Sequence, residues 1–135
     1  MPFMNIKLLK GQVSGEQKRK IIEGLTFLVQ DVMGRDRNLT TIVIDEIDQE
    51  NWAIGGRTFN SGTVPMGKVY FLRMEISRGT SNAEEMARMV QKADEMMESI
   101  LGVCEKANYI IIDELDPDGW GYQGITMTER RKLAQ

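Results

Sequence analysis

An internal repeat constrains the fold of this chain more than any other feature of its sequence. The first half matches the second at a constant offset of 68 residues, without a gap. The matching pairs include glycines, acidic residues and the two tryptophans: Phe3/Phe71, Gly11/Gly79, Glu16/Glu84, Gly34/Gly102, Asp45/Asp113 and Trp52/Trp120. Such a shared register indicates duplication of one structural unit. We therefore expect one domain over residues 1–135, with a first repeat at 1–67 and a second at 68–135.

Each repeat has the pattern of a strand, a helix and a second strand. In the first repeat, Met4, Ile6 and Leu8 alternate with polar residues, as in a half-buried strand. A capping box at 14–17 then predicts a helix start, and Gly34 is placed to end that helix. The second repeat predicts a capping box that begins at Ser81 and a methionine-rich helix whose methionines fill the core. The second strands are predicted at 41–46 and 109–114.

A helix of about 20 residues between two strands permits a parallel, right-handed crossover. Two such units predict an α+β fold of order βαββαβ, a four-stranded sheet with both helices on one face. Phe3, Val43, Phe71 and Ile111 would point to the other face. Because that face would be too apolar to remain in water, we expect oligomerisation.

The connecting segments carry weaker signals. Glycines at 51–67 predict a turn-rich connection with a short hairpin near Trp52, and its counterpart lies at 118–124. The polar end at 128–135 is expected to fray.

Composition excludes several classes of function. Seventeen basic and twenty acidic residues give a net charge of −3, which argues against binding to nucleic acid or to an anionic membrane surface. One cysteine, no long apolar run and no signal-peptide pattern predict a cytoplasmic protein. The absence of histidine excludes Ser-His-Asp and Cys-His mechanisms and argues against a zinc site, so we expect neither a metal nor a cofactor.

Pro2 breaks the equivalence of the two repeats in a way that matters chemically. Its position directly after Met1 favours removal of the methionine, which would leave a secondary amine at the start of a strand. An α-amine titrates at about 7.7–8, near the pH at which general acid-base catalysis operates. Tyr70, the repeat partner of Pro2, has only an amide nitrogen because it lies in mid-chain.

Four runs of the first repeat resemble a subunit of 4-oxalocrotonate tautomerase (4-OT). They are Pro2 to Gly11, Glu16 to Lys18, Val43 to Glu46 and Asn51 to Gly56. The resemblance is close over about residues 1–56 and weaker in the second half. The chain thus resembles a fused, tandem member of the tautomerase superfamily, and the resemblance implies the tautomerase fold.

This resemblance implies that Pro2 moves a proton between the oxygen and carbon ends of an enol or dienol of a small anionic 2-oxo acid. It also implies a homotrimer, either symmetric or asymmetric. Antiparallel first strands would place Arg78 beside Pro2, with Trp120 and Tyr122 as walls of the pocket. The place beside Tyr70 would be lined by residues 12 and 52.

The sequence departs from the family where substrate-binding arginines are expected. Those positions hold Gln12 and Thr41 in the first half, and Thr80 and Tyr109 in the second. Arg78 could take the place of one missing arginine and bind a substrate carboxylate. Tyr109 is a further candidate for substrate binding, together with Trp120 and Tyr122. Two alternatives remain open: a hydratase or dehalogenase of a substituted acrylate in the same superfamily, and a non-catalytic βαββαβ ligand-binding module.

Overall fold

The computed structural model describes residues 2–59 and 67–134. The first half contains β1 (Phe3–Leu9), α1 (Gly15–Met33), β2 (Thr41–Ile47), β3 (Ala53–Ile54) and β4 (Arg57–Thr58). The second contains β5 (Tyr70–Ser77), α2 (Ala83–Leu101), β6 (Ile110–Leu115), β7 (Gly121–Tyr122), β8 (Ile125–Thr126) and α3 (Met127–Leu133). The predicted α+β architecture of tandem βαβ units is confirmed.

The main sheet has four strands in the order β2-β1-β5-β6. Each unit contributes a parallel pair, and β1 runs antiparallel to β5 at the centre. Phe3 lies opposite Glu75, while Lys7 lies opposite Phe71. Since these two pairs are related by the 68-residue offset, the start of each unit's first strand lies beside the end of the other's.

Both helices cover one face of the sheet and form the core with it. Alternate side chains of the central strands are fully buried there, as are the apolar faces of the helices: Met4, Ile6, Leu8, Leu72, Met74, Ile76, Ile21, Leu25, Val29, Met89, Ala93 and Met97. The Met96 side chain of α2 fills the space beside Gly24 of α1, where an added side chain would meet its sulfur. No helix in the described ranges has the length and apolarity to cross a membrane.

The helix starts follow the sequence signals with one correction. Ser14 and Gln17 form the predicted capping box of α1. The predicted capping box at Ser81 is wrong, because α2 begins one residue later, with Asn82 accepting a hydrogen bond from the Glu85 backbone N–H. Ser81 instead donates its hydroxyl to the Glu85 side chain.

The uncovered face of the sheet carries both apolar and charged side chains. Phe3 is 38% exposed and Val43 41% exposed. On the same face, Lys7 Nζ lies 3.0 Å from Asp45 and Arg73 Nη1 lies 3.3 Å from Asp113. Each ion pair joins the two parallel strands of one unit, so a surface that packs here must accommodate paired charges as well as apolar side chains.

Short hairpins follow both units. β3 and β4 form the hairpin predicted after Trp52, whereas 60–66 of the predicted turn-rich connection lie outside the described residues. The expectation of a fraying end is wrong for 128–133, which belong to α3. This helix forms because Thr126 caps it, the Met127 side chain is buried and Thr128 donates a hydrogen bond to Asp118.

Candidate active site

Pro2 is a buried residue directly before β1, at the start of a central strand of the main sheet. Its carbonyl accepts a 3.4 Å hydrogen bond from the Thr41 N–H. The antiparallel pairing of β1 with β5 brings Glu75 opposite its neighbour Phe3. Pro2 is therefore held by one unit and faces side chains of the other.

A cavity of about 290 Å³ opens beside Pro2. Residues of both units line it: Pro2, Phe3, Asn38, Leu39, Thr41, Glu75, Trp120, Gly121, Tyr122 and Met127. The structure thus brings Trp120 and Tyr122 to the same cavity as Pro2, from a segment more than 110 residues away in the chain. The Trp120 indole is fixed because its Nε1 donates a 3.0 Å hydrogen bond to the hydroxyl of Ser77, a buried residue at the end of β5.

Glu75 supplies the carboxylate of this cavity. Its side chain is half-buried, and it has no hydrogen bond or ion pair with the residues at 2–59 and 67–134. The neighbouring Arg73 is occupied by Asp113. Glu75 was not among the residues predicted for the site. The repeat contained a signal for it, because the 68-residue offset matches this glutamate with a residue of opposite charge, Lys7.

Arg78 and Arg130 are not among the residues that line the cavity, and their surroundings differ. Arg78 is exposed, and its backbone N–H donates to the Leu115 carbonyl at 2.7 Å. Arg130 of α3 stacks on the Tyr122 ring, with its Cζ 3.4 Å from the ring centroid. It also donates a 2.8 Å hydrogen bond to the Tyr122 carbonyl. Sequence analysis missed Arg130 because α3 was not predicted.

The family arginine positions have different surroundings here. Thr41 lines the Pro2 cavity, so a hydroxyl lies where the resemblance implied a guanidinium. Thr80 accepts two hydrogen bonds from Arg35, at 2.8 Å on its carbonyl and 2.9 Å on its hydroxyl. Arg35 directly follows the cap of α1 and connects the first unit to the turn after β5.

A second cavity, of about 520 Å³, lies beside Tyr70. Tyr109 lines this cavity and not the one at Pro2, so the structure separates it from the other candidate residues. Trp52 lines it as well. Gln12, which was expected to line this place with Trp52, is not among the lining residues. Its side chain instead donates to the Gly67 carbonyl and accepts from the Val69 N–H.

Tyr70 has neither a free nitrogen nor a reactive hydroxyl. Its backbone N–H donates a 3.1 Å hydrogen bond to the Asn108 side chain. Its hydroxyl donates to Asp94. Burial, followed by this contact with Asp94, raises the pKa of the Tyr70 phenol well above its usual value.

The comparisons with known proteins agree with this arrangement. The model of the tautomerase enzyme family matches residues 2–61, beginning at Pro2. A probable tautomerase from Dickeya dadantii (strain 3937) is 43% identical over 58 residues, which are 43% of this chain and 87% of that protein. This chain belongs to the tautomerase family.

Two solved structures extend the likeness in fold to the second unit of this tautomerase. A native fused 4-OT superposes with a TM-score of 0.82 at 20% identity, covering 98% of this chain and 99% of that one. A fused 4-OT that forms a symmetric trimer superposes with a TM-score of 0.80 at 12% identity, covering 93% and 96%. The expected tautomerase fold in its fused form is confirmed.

Proposed function

We propose that this tautomerase interconverts the enol or dienol and keto forms of a small 2-oxo acid, with the amine of Pro2 as base and acid. The observation that carries the proposal is the burial of Pro2 in a cavity with aromatic walls, Trp120 and Tyr122. Removal of Met1 would turn the amide nitrogen of Pro2 into a secondary amine. The reaction needs no other base, and this chain contains no histidine to provide one.

The proposed proton transfer returns Pro2 to its starting state. The neutral amine accepts the proton of the enol hydroxyl, and the electron pair of the O–H bond becomes the new C=O bond. The carbon end of the former C=C bond then takes a proton from the protonated amine. Substrate and product therefore differ only in the position of one proton.

Glu75 is the proposed electrostatic partner of this amine. A carboxylate favours the protonated form of a nearby amine, whereas apolar walls disfavour it. Because Glu75 has no other partner at 2–59 and 67–134, its charge is available to a protonated Pro2. The pair would present no net charge to an incoming carboxylate.

Arg78 is the proposed contact for the substrate carboxylate. A carboxylate in a partly apolar cavity needs a cationic partner, and guanidinium is well suited to it. Arg78 follows Ser77, the residue that fixes Trp120, and its exposed side chain is free to turn. Arg130 is already engaged with Tyr122 and is proposed to position that ring.

We also propose that the chain assembles as a homotrimer. The exposed apolar side chains of Phe3 and Val43 on the uncovered sheet face support an interface there. The fused 4-OT described above is a symmetric trimer, which supports the same arrangement. Such a trimer would hold three Pro2 cavities and three Tyr70 cavities.

The test of the proposed function is turnover of the enol of a 2-oxo acid by the purified protein and by Pro2→Ala. Ketonisation is followed by the loss of ultraviolet absorbance of the enol. We expect a large loss of kcat/KM in Pro2→Ala with an unchanged circular dichroism spectrum. Equal rates in the two proteins would contradict the role of Pro2, and no turnover in either would favour a ligand-binding module.

Hydration or dehalogenation of a substituted acrylate is the second candidate, and the position of Glu75 favours it. This reaction needs a group that activates water, and Glu75 provides a carboxylate in the cavity of Pro2. Release of halide from a 3-haloacrylate, measured beside the enol assay, separates the two functions. Halide release that is lost in Glu75→Gln would favour this second candidate.

A further inference from the structure

The cavity beside Tyr70 corresponds, position by position, to the cavity beside Pro2. The 68-residue offset relates the residues that line the two cavities: Pro2 to Tyr70, Phe3 to Phe71, Thr41 to Tyr109, Trp120 to Trp52 and Glu75 to Lys7. The Tyr70 cavity is the larger of the two, at about 520 Å³ against about 290 Å³. The duplication has thus left a second cavity with aromatic walls in each chain.

This second cavity lacks the group that would make it catalytic. The nitrogen that corresponds to the Pro2 amine is a mid-chain amide, already bonded to Asn108. The Tyr70 side chain is fully buried, and its hydroxyl is engaged by Asp94. A molecule in the Tyr70 cavity would therefore meet no base comparable to a terminal amine.

The charge of the cavity is opposite to that of its counterpart. Lys7 lies where the Pro2 cavity has Glu75. The ammonium of Lys7 is 3.0 Å from Asp45, and Asp45 also accepts a 3.0 Å hydrogen bond from the Asn5 amide. Because Asn5 would still satisfy Asp45, Lys7 can turn toward an anion without leaving that carboxylate unpaired.

The walls of the cavity suit a flat apolar group. Trp52, Phe71 and Tyr109 contribute three aromatic rings, and Tyr109 is 65% exposed. Aromatic rings bind other rings by offset or edge-to-face packing, so a ring that enters here gains more than the burial of its area. The side chain of Asn51 adds a neutral hydrogen-bonding group.

We propose that the cavity lined by Lys7, Trp52, Tyr70 and Tyr109 is a second, non-catalytic site that binds a small planar aromatic carboxylate. The ring lies between the aromatic walls, and the carboxylate is bound by the ammonium of Lys7. This site is separate from the Pro2 cavity and does not depend on the reaction proposed there.

Each cavity contains one of the two tryptophans of the chain, which makes the sites distinguishable. In Trp120→Phe, fluorescence reports only on the Tyr70 cavity, and in Trp52→Phe only on the Pro2 cavity. The probes are benzoate and its neutral isostere benzamide. We expect benzoate to change the Trp52 emission saturably. Benzamide should require at least about fivefold higher concentration, because it lacks the charge that Lys7 would bind. The expected difference is no larger because solvent partly screens the charge of a partly exposed lysine.

Substitutions of Lys7 in the Trp120→Phe protein test the charge contact. Lys7→Gln should weaken benzoate binding at least about fivefold, while Lys7→Arg should preserve binding and show that the fold tolerates substitution. Lys10→Gln is the matched control, because Lys10 is an exposed lysine that directly follows β1 and does not line this cavity. It should leave the affinity for benzoate unchanged. The proposal is wrong if benzoate changes only the Trp120 emission, if neither emission saturates, or if Lys7→Gln and Lys10→Gln bind benzoate equally.

Discussion

The indole of Trp120 donates a 3.0 Å hydrogen bond to the hydroxyl of Ser77, across 43 residues of sequence. Ser77 is the last residue of β5, and Trp120 directly precedes β7. This bond fixes the second hairpin against the sheet beside Pro2. Both aromatic walls of the Pro2 cavity depend on the position of that hairpin.

Ser77→Ala removes the acceptor of this bond. We expect a loss of about 1–3 kcal/mol in the free energy of unfolding, because the half-buried indole N–H loses its partner. The KM for the enol substrate should rise while kcat changes less. Urea unfolding monitored by tryptophan fluorescence, together with steady-state kinetics, measures both effects. Ser99→Ala, which removes an exposed serine hydroxyl from α2, is the control. A stability equal to that of the parent in Ser77→Ala would show that the bond does not hold the hairpin.

The signals that predicted the fold are local in the chain. Period-two alternation in β1, the capping box of α1 and the repeat of these signals 68 residues later were enough to predict both βαβ units. The helix α3 was missed because its stability depends on tertiary contacts. Met127 is buried there, and Arg130 stacks on Tyr122.

The candidate site was predictable where the repeat and the resemblance supplied partners. Trp120 and Tyr122 were placed in this way, whereas Glu75 was not identified. Its proximity to Pro2 results from the register between β1 and β5, which pairs Phe3 with Glu75. No pattern within β5 itself distinguishes Glu75 from a solvent-exposed strand residue.

Glu75→Gln should change the pH dependence of turnover. A carboxylate near Pro2 raises the pKa of the terminal amine, so its removal lowers that pKa. Since the neutral amine begins the proposed reaction, the acid limb of the kcat/KM profile should move to lower pH. Glu23→Gln, which removes the same charge from the exposed surface of α1, should leave the profile in place. A shift to higher pH in Glu75→Gln would contradict the proposed pairing.

Arg78→Ala and Arg130→Ala should have different effects. Loss of a hydrogen-bonded charge at the substrate should lower kcat/KM by about 10- to 150-fold in Arg78→Ala, mainly through KM and without loss of stability. Arg130→Ala should also lower the free energy of unfolding, because it removes the contacts with Tyr122. Arg131→Ala is the exposed control on the same helix. If Arg78→Ala keeps kcat/KM within about twofold of the parent, Arg78 does not bind the substrate carboxylate.

Tyr70 should limit stability at alkaline pH. The pKa of the Tyr70 phenol is raised in the folded protein. The resulting contribution to the free energy of unfolding is fully present while the pH is below 10.0, the ordinary pKa of tyrosine. That contribution is lost as the pH rises above this value, because the unfolded chain ionises first. Tyr70→Phe should make the free energy of unfolding depend less on pH above 10.0, whereas Tyr109→Phe, at an exposed position, should not. Identical alkaline profiles for the parent and Tyr70→Phe would be inconsistent with a buried neutral phenol.

The central claim is that the free amine of Pro2 performs the chemistry, and the most direct test compares two forms of the same chain. One form begins at Pro2 by intact mass, and the other retains Met1, so that the nitrogen of Pro2 is an amide. The kcat/KM for the enol of a 2-oxo acid is measured for both. The account predicts a loss of about 10²- to 10⁴-fold in the form that retains Met1, the usual contribution of a general acid-base group. Equal kcat/KM values for the two forms would contradict it.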